Sequence, residues 1–371
     1  MAYDVNEPFV VDQTYKMKFK VKGSAAGQIS AGFQITSNYS SAGEFGAVDF
    51  TTDWQEVELT CTCNAEGATR LIFSFGAFAG DIYIDDFEFY YIVYGNSIPL
   101  TPEEKKEVLT VAMDRWIGGM MQAMEGKVKA RDVVNEAISG GNADAEGVYA
   151  LQSASNVSAE DAKNNFYWQD YMGELDYVRT AVASARKHFE ANGGNPSELK
   201  LFVNDYNLES DWDQNGKLKS LIKWIERGEA DGVTKIDGIG SQMHVSFHAN
   251  PDIQASKEKA IVESFKLMAD SKKLVRISEL DMGYVDASNN PVTTANLTEE
   301  QQKQMAEFYN FIVTKYLELV PAAQQWGICQ WAATDSDPDS GWRAGEPIGL
   351  WDRGYNRKHT YAGFADGLAG K

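Results

Sequence analysis

Arg131-Asp132-Val133-Val134-Asn135-Glu136 sets the architecture expected of most of the chain. Its apolar residues suit a buried parallel strand, and it then breaks abruptly into charge. Val275-Arg276-Ile277-Ser278-Glu279-Leu280-Asp281 repeats the pattern later in the chain. A carboxylate at the C-terminal end of a strand in a parallel barrel is placed for chemistry. Two of them suggest an acid and a nucleophile acting on a glycosidic bond.

Outward from this pair, strand and helix patterns alternate. Strand candidates lie at 130–136, 200–206, 236–245, 274–281 and 326–333. Helix candidates lie at 101–125, 168–192, 216–229, 255–271, 298–318 and 358–368. Thr101-Pro102-Glu103-Glu104 is a helix start, with a threonine cap, proline at the first position and acids in the first turn. Repeated strand-helix units imply a parallel sheet of the (β/α)8 barrel type. Five strand candidates can be counted here, where a full barrel needs eight. Residues 1–94 read differently, as short alternating strands such as Tyr15-Lys16-Met17-Lys18-Phe19-Lys20-Val21-Lys22, with Gly/Ser/Ala-rich turns. That pattern predicts a β-sandwich. The expected division is therefore 1–94 and 95–371, changing character around Gly95-Asn96-Ser97-Ile98-Pro99-Leu100.

Composition bounds the partners. The 371 residues carry a formal net charge of −20. Such a surface repels nucleic acid and anionic membranes, and fits a neutral ligand such as a polysaccharide. The 9 Trp and 17 Tyr offer flat faces that suit sugar rings, although most aromatics pack in cores. Cys61 and Cys63 point to one face of a strand, too close to pair comfortably, and Cys329 is the third cysteine. Neither a disulfide framework nor a metal-ligand pattern is present, so no cofactor or metal is expected. No apolar run is long enough for a bilayer, and Met1-Ala2-Tyr3-Asp4 does not read as a signal peptide.

Five segments together carry a resemblance. Asp132-Val133-Val134-Asn135-Glu136, Phe202-Val203-Asn204-Asp205-Tyr206-Asn207, Asp237-Gly238-Ile239-Gly240-Ser241-Gln242-Met243-His244, Ile277-Ser278-Glu279-Leu280-Asp281 and Gln330-Trp331-Ala332-Ala333-Thr334-Asp335 with Trp342 follow in order. They resemble strands four to eight of glycoside hydrolase family 10, the endo-β-1,4-xylanases. Asp81-Ile82-Tyr83-Ile84-Asp85-Asp86-Phe87-Glu88-Phe89 is similar to the last strand of carbohydrate-binding modules related to families 4 and 22.

The resemblance implies retaining hydrolysis of xylan, with Glu136 as acid/base and Glu279 as nucleophile. One carboxyl of such a pair must carry a proton and the other must be ionised. It also implies His244 and Asp281 as support for the nucleophile, Asn135 on the sugar 2-hydroxyl, and Gln242 beside the acid/base. Trp331 and Trp342 would wall the −1 and −2 subsites, with Tyr206 on the product side. Asn204, Asp205 and Asn207 divide evenly between substrate contact and strand-end hydrogen bonding. By family habit the protein is expected to be secreted or on the surface of a bacterial cell.

Two features depart from the pattern. Arg131 stands where the family usually has Trp. Segments matching the first three strands do not occur before Thr101, and the sandwich-like region stands there instead. The chain looks like a member cut inside an inserted binding module. Its open sheet is expected to be completed by a second copy, by the sandwich region or by another chain, and alone it is expected to be weakly active or inactive. A xylan-binding protein or partner-dependent barrel fragment is the rival reading.

Overall fold

A computed structural model describes residues 1–92 and 99–371. The chain divides into two compact units, Met1–Pro99 and Leu100–Lys371. The junction expected at residues 94 and 95 lies outside the described residues.

Among the described residues the first unit holds seven strands: β1 (Ala2–Asp4), β2 (Thr14–Gly23), β3 (Gly27–Ile35), β4 (Ser41–Phe50), β5 (Gln55–Thr62), β6 (Ala68–Ser74) and β7 (Ile82–Tyr91). They form two antiparallel sheets, ordered β1-β6-β3-β4 and β5-β2-β7. Alternation decides which face is buried. Tyr15, Met17, Phe19 and Val21 of β2 are buried, and the intervening lysines are not. Ile29 and Phe33 of β3, Phe45 and Phe50 of β4, and Leu71 and Phe73 of β6 join them in one hydrophobic cluster. Burial of each such side chain contributes about 1.5–3 kcal/mol. Cys61 and Cys63 are both buried free thiols, as is compatible with their same-face spacing, and burial pushes the Cys61 thiol up to about 11.

The second unit opens with α1 (Pro102–Ala123), where Thr101 and Glu104 form the reciprocal capping box. Then follow β8 (Ala130–Asn135), α2 (Ala159–Asn164), α3 (Trp168–Met172), α4 (Asp176–Ala191), β9 (Lys200–Asp205), α5 (Gly216–Glu229), β10 (Gly238–Ser241) and β11 (His244–His248). The chain continues through α6 (Pro251–Asp270), β12 (Leu274–Val285), α7 (Glu299–Leu319), β13 (Gln325–Gln330) and α8 (His359–Leu368). All the strand pairs are parallel. β10 and β11 run in succession along β12, so the sheet crosses as β8, β9, β10/β11, β12, β13. Among the described residues, β8 pairs with β9 alone and β13 with β12 alone.

The helices bury their apolar stripes against this sheet. Val178, Ala181, Val182, Ala185 and Phe189 of α4 recur at helical spacing and join the same core as Leu201 and Val203 of β9. Three expected elements differ. The helix expected over 168–192 breaks into α3 and α4 at Gly173, whose φ of 97° a side chain would resist. The strand expected over 236–245 is interrupted at Met243, held at φ 61°. The helix expected from 255 starts at Pro251, because Asn250 caps it by accepting from the amides of Asp252 and Ile253. Among the described residues no helix is long and apolar enough to cross a membrane.

Candidate active site

The parallel arrangement brings the C-terminal ends of the strands together. Asn135 ends β8, and Glu136 follows it at φ 56°. A glutamate keeps that left-handed conformation only where neighbours hold it. Its backbone N–H donates to the Asn204 carbonyl (2.8 Å), and its carbonyl accepts from Gln152 Nε2 (2.7 Å).

From Glu136 a chain of contacts leads to Glu279. Gln242 Nε2 donates to Glu136 Oε1 at 2.7 Å and reaches Asn135 Oδ1 at 3.4 Å. Asn204 Nδ2 lies 2.8 Å from both Asn135 Oδ1 and Glu279 Oε1 and donates to them. Ser278 Oγ donates to Asn204 Oδ1 at 2.5 Å and so fixes the orientation of that amide. Asn135 is exposed, and with its carbonyl oxygen occupied, its amide N–H groups are the ones left to donate outward.

The other oxygen of Glu279 faces His244, whose Nε2 lies 3.4 Å from Oε2. His244 Nδ1 lies 3.1 Å from Asp281 Oδ2, off the line of a well-aligned hydrogen bond. Burial pushes the imidazole toward neutrality, but the carboxylates of Asp281 and Glu279 outweigh it and raise the pKa above the ordinary value. Asp281 is wholly buried, accepting Trp342 Nε1 at 2.8 Å and Arg343 Nη1 at 2.9 Å. The Trp342 and Trp331 rings meet the His244 imidazole edge-on, with centroids 4.8 and 5.9 Å away. Both indoles remain 44% exposed, so each presents open aromatic surface. Tyr206 follows β9 with the Lys217 ammonium 3.3 Å from its ring centroid.

Glu136, Gln242, Asn135, Asn204, Glu279, His244, Asp281, Trp342 and Trp331 are thus linked in series by direct contacts, and Tyr206 stands apart on the β9 side. Asp205 is wholly buried, pairs with Lys217 at 2.7 Å and accepts the Ile138 amide at 3.0 Å, which is strand-end hydrogen bonding. Asn204 is the bridge between the two glutamates. Ser278 and Arg343 were not anticipated. Ser278 sits inside a motif already singled out, directly before Glu279, and Arg343 directly follows Trp342.

Beside β8 lies a cavity of about 800 Å³, lined among others by Trp116, Arg131, Asn135, Glu136, Gln152 and Tyr167. Nε and Nη2 of Arg131 are buried there without a hydrogen-bond partner among the described residues, and burial pushes its guanidinium down from the ordinary value. Asp132 is paired instead with Arg276 of β12, which also stacks on the Phe202 ring at 4.8 Å.

Comparison with known proteins points to one family. The model of glycosyl hydrolase family 10 matches residues 87–367. An endo-β-1,4-xylanase of Cellvibrio japonicus is 30% identical over 284 residues, which is 71% of this chain and 41% of that protein. Endo-1,4-β-xylanase C of Paenibacillus barcinonensis is 29% identical over 274 residues, covering 70% of this chain and 22% of that one. The chain therefore spans well under half the length of these two relatives. A solved family 10 structure from Paenibacillus barcinonensis superposes with a TM-score of 0.56 at 26% identity, covering 73% of this chain and 69% of that one. With a family match across most of its length, the chain belongs to glycosyl hydrolase family 10.

Proposed function

We propose that the chain is a retaining endo-1,4-β-xylanase that cleaves internal β-1,4-xylosidic bonds of xylan by double displacement. The observation that carries this reading is the unbroken series Glu136–Gln242–Asn135–Asn204–Glu279 across the strand ends. In this reading Glu279 attacks the anomeric carbon while Glu136 donates a proton to the leaving oxygen. Water then attacks the glycosyl ester on Glu279, and Glu136 accepts the water's proton. Asn204 and His244 each address one oxygen of Glu279, which supports a single orientation for the nucleophile. Asn135 donates to the 2-hydroxyl, a contact that tightens in the oxocarbenium-like transition state. Trp331 and Trp342 wall the −1 and −2 sugars, and Tyr206 shapes the product side. Xylan and its oligosaccharides are the expected partners, and no metal or organic cofactor is required.

The first unit supports a carbohydrate-binding role for residues 1–94 through its two-sheet core. A secreted or cell-surface location follows from the substrate, a polymer outside the cell. The test of the whole reading is digestion of xylan by purified chain beside Glu279→Gln, with the anomeric configuration of fresh product read by NMR. Retention abolished by the substitution supports it, and inversion refutes it.

A second reading rests on the β8 edge. Its unpaired side, the adjoining cavity and the partnerless Arg131 favour a barrel completed by a second copy or another chain, or a cleft that holds xylan without turnover. Calorimetry with xylohexaose, run beside light scattering, discriminates. Binding by a monomer without product release supports the binding protein, and activity that rises with self-association supports completion.

A further inference from the structure

Arg343 lies outside the chemistry assigned above, yet it is one of the most heavily engaged side chains near the site. Its Nη1 donates to Asp281 Oδ1 (2.9 Å) and to the Val245 carbonyl (2.8 Å). Its Nη2 donates to Ser246 Oγ at 2.7 Å and lies 3.0 Å from Glu346 Oε2. The backbone accepts a φ of 46° at Arg343 to make these contacts. β12 makes room for them: a Cβ built on Gly283 would fall 2.0 Å from Nη2 and 2.3 Å from Glu346 Oε2. The neighbouring Trp342 ends on the same carboxylate. Two consecutive loop residues therefore terminate on Asp281, whose other face meets His244.

We propose that Arg343 is a positioning residue for the nucleophile: it fixes Asp281, and through it His244, and ties the loop bearing Trp342 to that carboxylate. Guanidinium–carboxylate pairing suits this task, because it sets direction as well as charge. The groups bearing on His244 come from every side. Glu279 and Asp281 lie on β12, Glu209 on the loop after β9, and Arg343 with Glu346 on the loop after β13. Among the described residues Arg343 is the one permanent cation in contact with Asp281. Without it, Glu279 and Asp281 share only the imidazolium as counter-charge, and the cluster keeps its proton to higher pH.

The inference rests on the proposed nucleophile only for its catalytic meaning, so its test is read without substrate. The His244 imidazole is titrated by NMR in the isotope-labelled full chain, one of four histidines and identified by its absence in His244→Gln. Arg343→Met is expected to raise the midpoint by about one pH unit or more. Gly283→Ala, which displaces the guanidinium without removing charge from the chain, moves it the same way. Arg343→Lys falls nearer wild type, and Glu346→Gln leaves it within about 0.3 unit. An unchanged or lowered midpoint in folded Arg343→Met or Gly283→Ala overturns the proposal. So does a Glu346→Gln shift as large as that of Arg343→Met, which would make Arg343 a loop anchor only. If Arg343→Met does not fold, Gly283→Ala and Arg343→Lys decide alone. Wild type that fails to hydrolyse xylan counts against the proposed function and leaves this titration intact.

Discussion

The two glutamates sit in opposite surroundings. Around Glu279 the chain is dense: His244, Asp281, Asn204, Ser278, Trp342 and Arg343 interlock, and Asp281 is wholly buried. Around Glu136 it is open. Glu136 and Asn135 are exposed, β8 has an unpaired side among the described residues, and a cavity holds an arginine without acceptors. The contrast separates two jobs. The orientation of Glu279 is set by side chains packed around it, whereas the surroundings of Glu136 are only half enclosed.

Substitutions on the two sides put that contrast to the test. The largest expected effect is on catalysis: Glu279→Gln lowers kcat on xylan by roughly 10⁴-fold or more, because the covalent step has no substitute nucleophile. A loss below tenfold in initial-rate assays would remove Glu279 from that role. Next is stability on the dense side. Asp281→Ala strands the Trp342 Nε1–H donor and leaves the half-buried Arg343 guanidinium with Glu346 as its remaining carboxylate, which costs about 1–3 kcal/mol in urea denaturation. On the open side Arg131→Met removes a charge that has no partner, so stability changes by less than about 1 kcal/mol or rises. If Arg131→Met destabilises as much as Asp281→Ala, the two sides are not different in kind.

A smaller effect concerns pH. The folded pKa of His244 is raised above the ordinary value of 6.5. Its protonation therefore contributes stability that is full below about 6.5 and is lost as pH rises through the folded value. The gap in unfolding free energy between wild type and His244→Gln should shrink over that window when urea melts are run at several pH values. A gap that widens with pH would mean the imidazole is neutral in the fold.

Much of this was legible in the sequence. The strands of the second unit were readable because short apolar runs alternate with helix-spaced patterns along the sequence. The start of α1 was readable because Thr101, Pro102 and the acidic first turn are local signals, and the structure adds that Thr101 and Glu104 cap each other. What escaped depends on tertiary approach. Arg343 reaches Asp281 only because Gly283 leaves space across the fold. Asn204 bridges two glutamates that lie 143 residues apart in sequence, 279 less 136, a relation that strand order creates. The breaks at Gly173 and Met243 are set by single positive-φ residues, and Met is a poor advertisement for that conformation.

The central claim is that Glu279 forms a covalent bond to sugar. The most direct measurement is mass spectrometry of the intact chain after exposure to an activated 2-fluoro-xylobioside, followed by peptide mapping. The account predicts one added glycosyl group, carried by the peptide containing Glu279 and absent in Glu279→Gln. A chain that binds xylohexaose yet takes no label, or takes it on another carboxylate, would contradict the claim.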